Sequence, residues 1–400
     1  MKIACIGNMN NALFCLTRYL RDRGYDAHLL SLEGEPEHFS PEADSYNDQY
    51  KSYTQKLIWS KKPSIFYHTS KQQILSDISG FDFFIACDIS IAYLAKAGIK
   101  TDIFIPYGSD IHITPNLKVF EYPWKKWHKI YALKYYQRKA INNARVISLE
   151  TSNPDFEKQF VEPLKIDHKR IFTTCPFIYY PQYENGEMEE YAPKSPLYGK
   201  FRKIREMHDI VVFHHSRQEW RADGKMEVQK NVWTKGNDIL IRGFAEFVIN
   251  NPSVKSALIM FEYGTQVESS KNLVKELDIS GNVFWFPKSY RKDIMLGIQQ
   301  SDLGVGELGL SWYTYGTILE YMALGVPVVH KRDDTLYAAA GKELYSMIHA
   351  QSPYEIYAAL ECAKNEPKKF MQIGAIANEW FKKNLIEKPL NQYTDLIGPK

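Results

Sequence analysis

No stretch of the 400-residue sequence approaches the roughly 18 uninterrupted apolar residues of a membrane-crossing helix, so none of it is expected to span a bilayer. A secretory signal is missing too. Met1 to Gly7 reads as a strand from its start, without a longer apolar run or a small-residue cleavage site, so a cytoplasmic chain is expected. The same absence argues against a periplasmic solute-binding protein. Cysteine is scarce: Cys5, Cys15, Cys87, Cys175 and Cys362 include no pair spaced for zinc or redox chemistry, and reduced, buried thiols are expected. Charge of one sign is also lacking. Fifty Lys and Arg against 47 Asp and Glu leave a net +3, which gives no general case for nucleic acid as a partner. No Gly-x-Gly-x-x-Gly follows a predicted strand, and the loop at Gly7 lacks the second and third glycines, which disfavours a nicotinamide dehydrogenase. No Asp-x-Asp pair offers a metal site; Asp333-Asp334 follows a strand but has the wrong spacing.

What is present is a regular alternation of short apolar strands with helical patterns, which predicts parallel sheets covered by helices. In the first half, strands are predicted at Lys2–Ile6, Ala27–Leu32, Phe83–Ala86, Ile103–Pro106 and Val146–Leu149, with a helix over Leu13–Arg23 closed by Gly24. From about Pro181 to Arg205, Pro, Gly, Tyr and clustered charge break the rhythm and predict a linker. Strands resume at Ile210–His214, Ala257–Tyr263, Asn282–Phe286, Asp302–Gly306 and Val326–His330. The organisation expected is therefore α/β: two doubly wound, Rossmann-like domains over residues 1–195 and 196–385, followed by a segment 386–400. Such domains bind ligands at the carboxyl ends of strands where strand order reverses, and a cleft between the two is the natural site.

Two segments of the second half carry chemistry. After the strand Val211-Val212-Phe213 comes His214-His215-Ser216-Arg217, then a charged stretch, then Lys235-Gly236 opening a helix. Arg217 past a strand end and Lys235 before a helix N-terminus would clamp a diphosphate, or be solvated charges. The second segment runs from Tyr315-Gly316-Thr317 through Glu320 to Ala323 and Gly325-Val326-Pro327-Val328-Val329. Gly316 and Thr317 would offer backbone N–H groups to phosphate, with Tyr315 beside them. Glu320 would accept two ribose hydroxyls, or merely complement the helix dipole.

Taken together, these segments resemble the retaining GT-B glycosyltransferases with a paired-Glu signature (Glu, seven residues, Glu), glycosyltransferase family 4-like. The resemblance is good over the C-terminal half and thinner before it. It implies two Rossmann-like domains facing each other across a cleft, with Arg217 and Lys235 on the donor diphosphate and Glu320 on the donor ribose. The position of the first Glu is held by Trp312, and a shifted loop would bring Glu307 into its place. The Arg-to-Lys interval, with residues 218–234 between, is also long. In the first half, Gly7 and Asn8 fall where such proteins place a loop under the donor phosphates, although a plain polar turn fits equally. Asp110 and His112 follow a strand end and are candidates for donor or acceptor sugar contact; a turn cap and a structural histidine are the alternatives. The resemblance further implies transfer from a nucleotide-diphosphate sugar to a glycan or lipid-linked acceptor in polysaccharide biosynthesis, with retention and with neither metal nor cofactor. A nucleotide-sugar epimerase or hydrolase, or a catalytically degenerate sugar-nucleotide-binding protein, would use the same clamp. Finally, Lys118 to Lys139 holds seven basic residues and one acid, interleaved with Tyr122, Trp124, Trp127, Tyr131, Tyr135 and Tyr136. It would pack these aromatics into the domain, the expected arrangement, or rest them on the inner face of a membrane.

Overall fold

The computed structural model describes residues 1–150, 157–221 and 234–399. The chain forms two compact units, Met1–Tyr179 with Asn384–Lys400, and Tyr180–Lys383. Part of the long Arg-to-Lys interval, residues 222–233, lies outside the described residues.

The first unit is built on β1 (Lys2–Ile6), β2 (Asp26–Glu33), β3 (Thr54–Ser60), β4 (Phe83–Ala86), β5 (Ile103–Phe104), β6 (Val146–Ser148) and β7 (Arg170–Ile171). The order across the sheet is β3-β2-β1-β4-β5-β6-β7, and each pairing is parallel. β4 is buried at every position, as expected for a strand covered by helices on both faces. Below it, Trp59 stacks on Tyr93 at 4.7 Å, and its indole donates to Asp77 Oδ2 at 2.7 Å. The helix Lys388–Ile397 belongs to this unit: Tyr393 is fully buried and its hydroxyl meets Ser148 Oγ at 2.9 Å, while Arg23 reaches Asn391 Oδ1 at 2.9 Å.

The second unit contains β8 (Ile210–His214), β9 (Ser256–Glu262), β10 (Val283–Pro287), β11 (Leu303–Val305), β12 (Val328–His330) and β13 (Ile348–His349), ordered β10-β9-β8-β11-β12-β13 and again parallel. In both sheets the order reverses beside the first strand of the unit, between β1 and β4 and between β8 and β11.

Three strands escape the sequence pattern. β3 is an edge strand with polar residues Thr54, Gln55 and Lys56 at its start, and β7 and β13 are two-residue edges too short to show a period. The expected linker is instead helical: Pro181–Glu184, Glu187–Tyr191 and Tyr198–Met207. Its polar residues find fixed partners, since Tyr191 and Ser195 both donate to Asp293 Oδ1, and Phe201 packs on Phe286 at 4.5 Å.

The aromatics of residues 118–139 correct another expectation. Tyr136 does turn inward toward Phe66, but Phe120 is 80% exposed, Trp124 71% and Tyr131 61%. The helix Trp127–Asn143 buries Ile130, Leu133, Gln137, Ala140 and Ile141, which leaves Trp127, Tyr131 and Tyr135, four residues apart, on its outer side.

Candidate functional site

The reversal between β8 and β11 gathers most of the candidate residues of the second unit. Three loops interlock there. Gly236 has φ +69°, and a Cβ on it would come within 2.9 Å of the Gly309 nitrogen; a Cβ on Gly309 would lie 2.2 Å from the Thr234 carbonyl. Only glycines allow this approach, which Leu308 N seals by donating to the Lys235 carbonyl at 2.9 Å. Lys235 and Glu307 are thereby brought together, both buried, with Nζ 2.6 Å from Oε1. Glu307 N donates to the Tyr315 hydroxyl at 2.5 Å, which anchors the entrance to the helix Gly316–Ala323. The first-turn residues Gly316 and Thr317 are half-buried, as are Arg217 and Trp312.

Glu320 lies one turn into that helix. Its Oε2 is 2.5 Å from His215 Nε2 and its Oε1 accepts from Arg291 Nε at 2.7 Å. Burial alone would raise its carboxyl, but the charges and hydrogen bonds of His215 and Arg291 outweigh burial and hold it below its ordinary range. Arg291 is the first residue of the helix Arg291–Gln299. Neighbouring His214 is fully buried and pushed down to about 4 by that burial. It is neutral: Asn237 Nδ2 donates to its Nε2 at 2.8 Å, and its Nδ1 donates to the Val305 carbonyl.

The reversal of the first unit is chemically different. Gly7, φ +88°, follows β1 so closely against β4 that a Cβ would meet Cys87 Sγ at 2.8 Å. Asn8 is fully buried and its side chain is spent on the loop: Nδ2 donates to Asn11 Oδ1 and the Phe39 carbonyl, and Oδ1 accepts from Phe14 N. The Asp110 carboxylate is likewise fully buried and accepts from the backbone nitrogens of Tyr107, Gly108 and Asp88. The turn-cap alternative is therefore the one its geometry fits. Burial first, then the charge of Asp88, pushes Asp110 up to about 7. His112 is half-buried with its ring 5.1 Å from Phe160, and burial lowers its pKa. Beside these lie groups the sequence did not single out: Asp88 paired with Lys61 at 2.5 Å, Lys61 also on the Tyr107 hydroxyl at 2.8 Å, and Glu35, which burial pushes up to about 7. His215 and Arg291 were missed as well. His215 had a signal, being a polar residue directly past a strand, but nothing near Arg291 marks it.

Neither family models nor curated protein sequences match this chain. Solved structures do. The chain is similar to Anabaena HepE in complex with UDP-glucose, at 14% identity over 98% of each chain with a TM-score of 0.59. It is similar to WaaG, a glycosyltransferase involved in lipopolysaccharide biosynthesis, at 12% identity over 100% of each chain with a TM-score of 0.58. It is also similar to the sucrose-phosphate synthase of Thermosynechococcus elongatus, at 11% identity over 99% of this chain and 98% of that one, with a TM-score of 0.58. The chain has the GT-B fold. At such identities the likeness concerns the fold, and function rests on the residues above.

Proposed function

We propose that this protein is a glycosyltransferase that moves a sugar from a nucleotide-diphosphate sugar to a glycan or lipid-linked acceptor, with retention and without a metal. The observation that carries the reading is the pairing of Lys235 with Glu307 at the β8–β11 reversal, tied through Tyr315 to the start of the helix that carries Glu320 one turn in. In this reading Arg217 and Lys235, with the backbone of Gly316 and Thr317 beside Tyr315, stabilise the charge that develops on the leaving diphosphate. Glu320 receives the ribose. Glu307 takes the sugar-facing part that Trp312 cannot, handing Lys235 to the phosphates when the donor enters. Gly7 lets its loop lie close against Cys87, with Asn8 and Asp110 as braces, and His112 is retained as the acceptor-side contact.

The test is a thermal-shift series with UDP, GDP, ADP and TDP on wild type and Arg217→Ala. One nucleotide should raise the melting temperature, by about 3 kcal/mol of linkage at a hundredfold excess over Kd, and the variant should lose the shift. No shift with any of them would sink the reading. A shift without sugar transfer to any acceptor would favour the epimerase, hydrolase or binding-protein alternatives.

We further propose that residues 118–139 contact an anionic membrane surface. Exposed aromatics interleaved with lysines match a lipid interface in both polarity and charge. Phe120→Ser with Trp124→Ser should cut sedimentation with phosphatidylglycerol vesicles about tenfold while leaving the melting temperature unchanged; equal sedimentation would remove the membrane from the proposal.

A further inference from the structure

The grip on Glu320 contains more information than an ion pair. Tyr321 donates its single hydroxyl proton to the Phe213 carbonyl at 2.9 Å, and the same oxygen lies 2.9 Å from His215 Nδ1. That nitrogen must therefore be the donor to Tyr321. His215 Nε2 faces a carboxylate, which can only accept, so it donates too. His215 and Arg291 thus take one oxygen each of the same buried carboxylate. The arrangement is built into the fold: Gly304 is the residue under the Tyr321 ring, where a Cβ would lie 2.2 Å away.

Held on both oxygens and below its ordinary range, Glu320 is ionised and therefore acceptor-only. Each oxygen uses one lone pair on its partner and retains another. A group completing this site has to donate twice, which a vicinal diol does and a phosphate or carboxylate does not. We infer that His215 and Arg291 are positioning residues that fix the Glu320 carboxylate to receive the two ribose hydroxyls of the donor, thereby selecting ribonucleotides. This rests on the proposed nucleotide-sugar reading. Neither residue touches the reacting atoms.

The experiment is calorimetric titration with UDP and GDP, their 2′,3′-dideoxy forms and inorganic pyrophosphate. It compares wild type with His215→Gln, Arg291→Met and, in case burial makes those fold poorly, Tyr321→Phe, which removes the acceptor of the Nδ1 proton and the donor to the Phe213 carbonyl but leaves both groups on Glu320 in place. Wild type should prefer the ribonucleotide over its dideoxy form by about tenfold or more, as expected for hydrogen bonds to a buried charge. Each variant should shrink that ratio, Tyr321→Phe least, while pyrophosphate affinity stays at the wild-type value. A ratio that survives in all three folded variants overturns the inference, as does a loss of pyrophosphate binding equal to that of the nucleotide. If wild type binds neither nucleotide, the donor reading itself fails, which is a different outcome from a retained ratio.

Discussion

The two strand-order reversals are the same piece of topology used with opposite electrostatics. Among the described residues beside β8 and β11, Arg217, Lys235 and Arg291 stand with Glu307 and Glu320, and the Glu320 carboxyl is held low. Beside β1 and β4, acids outnumber cations: Glu35, Asp88 and Asp110 against Lys61, with Glu35 and Asp110 each pushed up to about 7. A doubly wound sheet fixes where a site lies, and the side chains on its loops fix what the site accepts.

The largest expected effect tests that contrast directly. Lys235→Ala should weaken nucleoside diphosphate binding by about a hundredfold, since it removes a buried charge-assisted contact, whereas Lys61→Ala in the first unit should change it little. Titration of both variants measures this. Comparable losses would dissolve the distinction between the units.

A middle-sized effect concerns pH. A carboxyl whose folded pKa is raised contributes stability that is full below its unfolded value, near 4, and is lost as pH rises through the folded value of about 7. Asp110 should therefore make the protein easier to unfold at pH 7 than at pH 5, at a rate approaching about 1 kcal/mol per pH unit. Glu320 has the opposite sign: its contribution is present above the unfolded value and is lost as pH falls through its lowered one. Urea midpoints at the two pH values should differ less in Asp110→Asn than in wild type. An unchanged difference would mean that Asp110 is ionised in the fold.

The smallest effect separates backbone conformation from crowding. Gly7 and Gly34 have similar φ, +88° and +82°, but only Gly7 has a neighbour in the way of a Cβ. Each Ala substitution should cost about 1 kcal/mol for the left-handed backbone, with Gly7→Ala costing roughly 1 kcal/mol more for the Cys87 contact. Denaturant melts of both variants check it, and equal costs would place the Gly7 loop further from β4 than described.

Much of the fold was legible because buried parallel strands are short apolar runs and their helices keep a 3.6-residue period. Phe83–Ala86 and Ile210–His214 were readable to the residue. The helical segment after Tyr180 was not, because its Pro and Gly punctuation resembles a linker and its order comes from contacts such as Phe201 on Phe286. For the site, Lys235-Gly236 and Glu320 stood out since each opens or enters a helix at a fixed spacing.

Alone, then, the sequence determined the two doubly wound sheets and the residues that local backbone geometry marks: a Gly before a helix, a cation past a strand, an acid one turn in. Only the tertiary structure decided which of these meet. The pairing of Lys235 with Glu307 spans 72 positions and that of His215 with Glu320 spans 105. Arg291 arrives from a separate helix, and Asn8 and Asp110 tie their loops to the neighbouring ones at Phe39 and Asp88. Local propensity acts over a few residues, whereas charge pairing and burial act over a few ångströms, and only the folded chain converts one separation into the other.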